Sequence, residues 1–191
     1  MKKILVLIVI CLSVFIIYLT TIDKRIYYLA LGDNNVYPSV VKNSFKDKLE
    51  VFVENYTDRT IDLINEIEDN KSIMVNGKEK TLKNALIKAD VITISLNNDL
   101  LYKLKIDNEN IYEYIDELFV DIENLFILLK EYCKEDIFIT NYNINYDKKI
   151  IDYANSRLKI LCEEYGINYV DIKGDVNTSI INAINKKVFE L

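Results

Sequence analysis

After residue 25 the chain alternates short runs rich in β-branched and aromatic residues with longer stretches whose apolar residues recur every three or four positions. That alternation limits the fold more than any other feature. Strand-forming runs separated by helix-length stretches cannot be joined by tight hairpins, so the strands must run parallel with helices crossing over the sheet. Runs over residues 27–31, 51–53, 91–95, 137–140 and 168–172 read as five strands, the second of them weak. Helix periods occupy about 38–49, 60–68, 81–89, 108–132, 147–165 and 178–189. The strongest is 108–132, where Ile111, Ile115, Leu118, Ile122, Leu125 and Leu129 share one face. Asn76-Gly77 is a hairpin-type turn signal, Gly32 ends the first strand, and Gly166 stops the helix before it. In such a sheet a ligand site belongs at the carboxyl ends of the strands, near Gly32, Leu96 and Asn141.

With 191 residues, half of them apolar and 28% charged, the chain holds one domain with a real core and a short appendage. We place the domain at 26–191 and the appendage at 1–25. Lys2 and Lys3 precede an uncharged run from Ile4 to Tyr18 that continues to Ile22 before Asp23. At about 1.5 Å per residue this run just spans a hydrocarbon layer of about 30 Å. It ends in bulky Tyr18 and Leu19 instead of the small residues of a cleavage site, so it reads as one uncleaved transmembrane helix. The two lysines keep the N-terminus inside, which puts the domain on the extracytoplasmic side of the cell membrane. A cleaved signal peptide, leaving a secreted domain, is the alternative and leads to the same compartment. Val9 and Ile10 before Cys11 are not the small residues of a lipidation site.

Composition removes several chemistries. A net charge of −6 without a Lys/Arg cluster argues against nucleic acid. The chain has no histidine, so imidazole bases and imidazole metal ligands are absent, and no Cys/His cluster suggests a metal or a cofactor. Cys133 and Cys162 are open to two readings, a disulfide or two small buried hydrophobes.

The run Tyr28-Leu-Ala-Leu-Gly-Asp33 followed by Asn34, the stretch Asp58–Ile64, the stretch 89–101 containing Leu96-Asn-Asn-Asp99, and residues 155–172 lie in one order along the domain. Together they resemble the blocks of the SGNH or GDSL hydrolase family. The resemblance implies a flavodoxin-like three-layer α/β sandwich around a five-stranded parallel sheet. It also implies a serine nucleophile after the first strand and a last-block histidine with an Asp three residues before it. A second-block Gly and a third-block Asn would complete the oxyanion site. Carried over by position, the nucleophile is Asn34, the second-block Gly falls near Thr57, and the third-block Gly falls at Leu96 or is deleted. Only Asn98 of the oxyanion set remains. Asp175 could be a remnant of the last block, which contains no histidine. An amide nitrogen delocalised into its carbonyl cannot replace an attacking hydroxyl. Loss of nucleophile and base together costs about 10^6 in turnover in triad enzymes.

These observations predict a non-catalytic binding or interaction module whose cleft is built from Gly32, Asp33, Asn34, Asn98, Asp99 and Tyr142. Its ligand would be a glycan, a lipid or a protein. Tyr142 and Tyr146 sit where a sugar or peptide could stack, whereas Asp99 can also cap the short helix after it and Asp33 can also bond a turn. The alternative function is a divergent esterase or acetyl hydrolase acting on cell-envelope or lipid esters. A serine–lysine pair drawn from Ser39 or Ser44 with Lys42 or Lys46 would need no histidine, but these residues lie on an ordinary amphipathic helix.

Overall fold

The structure, a computed structural model, describes Ser13 and residues 26–33, 38–45, 49–51, 54–56, 59–75, 78–106 and 110–189. The chain runs through β1 (Ile26–Gly32), α1 (Pro38–Ser44), β2 (Leu49–Val51), β3 (Glu54–Tyr56) and α2 (Thr60–Glu68). It continues through β4 (Ser72–Val75), β5 (Lys78–Thr81), α3 (Leu82–Lys88), β6 (Val91–Ser95) and α4 (Asn97–Ile106). The last elements are α5 (Ile111–Tyr132), β7 (Asp136–Thr140), α6 (Lys148–Tyr165), β8 (Asn168–Val170) and α7 (Val176–Val188).

The main sheet is parallel, in the order β2-β1-β6-β7-β8, with β3 also paired to β1. Four strands, β1, β6, β7 and β8, pair in unbroken register, so that Leu29 faces Ile92 and Ile92 faces Ile137. The weak second strand expected over 51–53 is instead two three-residue segments on the same side of β1. β2 pairs with Ile26 and Tyr27, and β3 with Ala30 to Gly32, with an irregularity between Ile26 and Tyr27. An edge strand is bonded on one side only, so a break in it costs fewer ladder bonds than a break in the centre. β4 and β5 form a separate antiparallel hairpin; the Asn76-Gly77 turn lies outside the described residues. The last strand stops at Val170, two residues earlier than expected, because the Ile172 N–H donates to Asn141 Oδ1 at 3.0 Å instead of to a neighbouring strand.

Alternation along the strands sorts side chains to two faces. Leu29, Leu31, Ile92, Ile94, Ile137 and Ile139 meet α2, α3, α5 and α6 on one face. Tyr28, Ala30, Val91, Phe138 and Val170 meet α1 and α7 on the other. All five residues of β6 are buried, as expected for a parallel strand covered on both sides. α5 contributes the longest apolar stripe, from Ile111 through Ile115, Leu118 and Ile122 to Leu129. Each such side chain, fully buried, supplies roughly 1.5–3 kcal/mol.

The expected transmembrane helix falls on residues outside the described set. Among the described residues no helix is long and apolar enough to cross a membrane.

Candidate functional site

The carboxyl end of β1 passes unusually close to β6. Gly32 has φ +89°, and a Cβ built on it would lie 2.0 Å from the Ser95 carbonyl oxygen. Only glycine satisfies both conditions. The next residue stitches the two strand ends together, as the Asp33 N–H donates to the same Ser95 oxygen at 2.8 Å. Its buried carboxylate then accepts from the Asn98 N–H at 3.0 Å, in the first turn of α4.

Asp99 follows, buried, and its Oδ2 accepts from the Thr60 N–H at 2.7 Å. This corrects one sequence expectation. Asp99 sits in the first turn of α4, but its carboxylate bonds the start of α2, 39 positions earlier in the chain. The cause lies in α2, whose N-cap residue Arg59 makes no side-chain cap bond. The first N–H groups of a helix need outside acceptors, and a carboxylate also suits the positive end of the helix dipole.

The other polar residues at this end act in the same way. Asn97 donates to Ser95 Oγ at 3.1 Å and accepts from the Asn143 N–H at 2.9 Å. Asn141 donates to Asp171 at 3.1 Å and accepts from Ile172. Asp175, carried over as a remnant of the last block, is the N-cap of α7. It accepts from the Thr178 N–H at 2.7 Å and the Thr178 hydroxyl at 2.8 Å, and these bonds hold its carboxyl below the usual carboxylate range.

Tyr142 is not at the mouth of a cleft. It is 2% exposed, packs edge-to-face on Phe119 with ring centroids 6.5 Å apart, and is fixed through its backbone by both ends of the Asn155 amide. Its hydroxyl finds no hydrogen-bond partner among the described residues. Burial, and then the fields of Asp99, Asp33 and Cys162, push the phenol well above its ordinary range. Tyr146 keeps 38% exposure. Cys133 and Cys162 are free, buried thiols, which removes the disulfide reading. Burial raises both, Cys162 to about 12.

Asn34 and Thr57 lie outside the described residues, as does Lys46. The Ser44 hydroxyl donates to the Val40 carbonyl of its own helix at 2.9 Å, an ordinary helical back-bond. Among the described residues no cluster of three or more acidic, Cys or His side chains could hold a metal.

The open space at this end is a surface cleft of about 430 Å³ bounded by Arg59, Asp62, Asn98, Leu101, Tyr102 and Lys105. The Arg59 guanidinium lies over the Tyr102 ring, 4.9 Å from its centroid. Of these residues only Asn98 was singled out from the sequence. Arg59 stands inside the second-block stretch, and attention to its side chain there would have found it.

No family model matches the chain, and no curated protein matches it. A crystal structure superposes with a TM-score of 0.52 at 11% identity, covering 87% of this chain and 98% of that one. The shared feature is the α/β fold. A second structure, from Desulfitobacterium hafniense DCB-2 and described as a G-D-S-L family lipolytic protein, aligns over 76% of each chain with 14% identity and a TM-score of 0.44.

Proposed function

We propose that this chain is a membrane-tethered, extracytoplasmic domain on an SGNH/GDSL-type scaffold that works as a non-catalytic binding or interaction module. One observation carries the reading: a chain with Gly32-Asp33 at the end of its first strand has Asn34 at the nucleophile position and no histidine anywhere. Acyl transfer by the family's route needs a hydroxyl whose proton an imidazole accepts, and this chain has an amide at that position and no imidazole. The carboxyl ends of the strands are consistent with this. Asp33, Asp99, Asn97, Asn141 and Asp175 all spend oxygen atoms on backbone or hydroxyl donors. These bonds fix loops and helix starts in place. The cleft of Arg59, Asn98 and Tyr102 offers a cation, an amide and an aromatic ring to a glycan, a lipid headgroup or a protein segment.

The test is hydrolysis of p-nitrophenyl acetate by the full chain and by its Asn34→Ser variant. Both are expected to match the rate in buffer, because restoring the hydroxyl does not restore the base. Sustained turnover by the native chain would establish a divergent esterase instead, and turnover by the variant alone would reveal a base other than imidazole.

A further inference from the structure

Two neighbouring helices of the layer that covers one face of the sheet leave an outward groove between them. Its wall on α2 is Ile61, Ile64, Asn65 and Glu68, and its wall on α5 is Asn124, Ile127, Leu128 and Glu131. Both sets follow the spacing i, i+3, i+4, i+7, which is one helix face over two turns. Two such faces side by side are a seat for a third helix. The groove encloses about 420 Å³. Ile64 is buried, Ile61 and Leu128 are half-buried, and Ile127 keeps 51% exposure, with Val120 57% exposed earlier on the same stripe of α5. The inner faces of the two helices are already spent in the core, through Leu63 and Ile67 of α2 and Ile122, Leu125 and Leu129 of α5.

The charge on this surface is one-sided. Residues 59–71 hold four carboxylates against Arg59 and Lys71, and residues 111–136 hold eight against Lys130 and Lys134. Asp116 and Glu123 bond Arg157 and Tyr165 on the side of α6. With those two set aside, and with Lys83 and Lys88 of α3 counted in, carboxylates still outnumber cations. The cations are also engaged. The Arg59 guanidinium lies over Tyr102, Lys71 pairs with Glu66, Lys130 donates to the Gly166 carbonyl at 3.1 Å, and Lys134 is followed directly by Glu135 and Asp136. Lys83 donates to the Glu68 carbonyl at 3.1 Å and lies over the Tyr132 ring, 5.4 Å from its centroid, so α2 and α5 end side by side. Glu68 and Glu131 therefore stand at one end of the groove, where the negative ends of two helix dipoles add to their charge. Both are exposed, and among the described residues neither carboxylate has an ion-pair partner.

We infer that the groove between α2 and α5 seats a basic amphipathic helix of a partner protein. Apolar residues of that helix at i, i+3 and i+4 would pack on Ile61, Ile64, Ile127 and Leu128. A Lys or Arg one turn further on would reach Glu68 and Glu131. The apolar walls supply contact area, and the two glutamates fix direction, because a reversed helix would bring its cation to the Asn124 end. This surface is separate from the cleft of Arg59 and Tyr102, and the inference depends neither on that cleft nor on the N-terminal run. A second copy of the chain fits less well. Its own α5 would bring Glu117, Asp121 and Glu131 against like charges, and its α7, with Lys186 and Lys187 in the last turn, spends Ile180 and Ile184 in the core.

The test is fluorescence anisotropy of labelled synthetic helices of about 15 residues with the full chain in a non-ionic detergent at low salt. The peptides carry Leu or Ile at i, i+3 and i+4 and Lys, Arg, Ala or Glu one turn on. The Lys and Arg peptides are expected to bind at about 1–100 µM and the Glu peptides at least about tenfold more weakly. Ile127→Glu, at a half-exposed position, should weaken binding by the basic peptides at least about tenfold while the circular dichroism spectrum stays the same. In the double variant Glu68→Lys with Glu131→Lys the preference should invert, so that the Glu peptides bind and the Lys peptides do not. Equal binding by Lys and Glu peptides, binding indifferent to Ile127→Glu, or no binding by any basic peptide would overturn the inference. Sedimentation of the native chain as a dimer that Ile127→Glu splits would overturn it too, by giving the groove to a second copy.

Discussion

Replacing Gly32 by Ala should cost this fold a large share of its stability, and Gly174 supplies the control. Both residues have positive φ, +89° and +93°, so an Ala at either carries backbone strain of about 1–2 kcal/mol. They differ in surroundings. A Cβ on Gly174 meets nothing within 4 Å, whereas one on Gly32 lies 2.0 Å from a backbone oxygen of Ser95, a full ångström inside the 3.0 Å limit for real Cβ contacts. The obstacle is main chain and cannot rotate away. β1 and β6 must part where Leu31 and Gly32 pair with Ile94 and Ser95, and the Asp33–Ser95 bond lengthens with them. Losing two or three such bonds, at about 1 kcal/mol each, adds to the strain. We expect about 3–5 kcal/mol for Gly32→Ala and about 1–2 kcal/mol for Gly174→Ala, against a total of roughly 5–15 kcal/mol for an ordinary domain. Urea unfolding of the full chain in micelles, followed by circular dichroism and extrapolated linearly, measures both. Losses equal within about 0.5 kcal/mol would refute the close-approach argument, since strain alone predicts equality.

Asp99→Ala should destabilise by about 1–3 kcal/mol, because it leaves the buried Thr60 N–H without its acceptor; unchanged urea midpoints would show that another group takes its place. Tyr142→Phe should leave stability unchanged or raise it by up to about 1–2 kcal/mol, because it removes a buried hydroxyl that has no partner among the described residues, and a clear loss would show that the hydroxyl is bonded. Burial, with help from Glu163, raises the Cys162 thiol to about 12, and burial, with Asp171 and Cys162, raises the Tyr169 phenol to about 12. In both cases the folded state holds its proton longer than the unfolded chain. Their contribution is intact below the ordinary values of 9.0 and 10.0 and drains away as pH rises toward 12. The melting temperature should fall across that window and fall less steeply in Cys162→Ala; identical slopes would exclude the thiol as a cause.

The central elements were legible because their signals are local. α5 and α6 were visible in the recurrence of Ile111, Ile115, Leu118 and Ile151, Ala154, Leu158, and β6 in a β-branched run, Val91-Ile-Thr-Ile94, closed by Ser95. The split of the second strand was not legible. Val51-Phe-Val53 is the apolar centre of residues 49–56, and pairing on β1 instead uses the segments on either side of it, with an irregular register between Ile26 and Tyr27. The bond from Asp99 to Thr60 joins residues 39 apart, a distance no capping pattern spans. Tyr142 was placed at the surface because it follows a strand end, whereas the Asn155 amide turns its backbone so that the ring enters the core. Asp175 with Thr178 is a readable N-cap signature, and its place in the last block of the family pattern is what suggests a catalytic remnant instead.

On the proposed reading, no side chain beside the end of β1 opens an ester bond. The most direct test of that reading is intact-mass measurement of the folded full chain after prolonged exposure to excess fluorophosphonate. An unchanged mass is the predicted result. A single phosphonyl adduct per chain, mapped to any residue around Gly32 and Asn98, would contradict it.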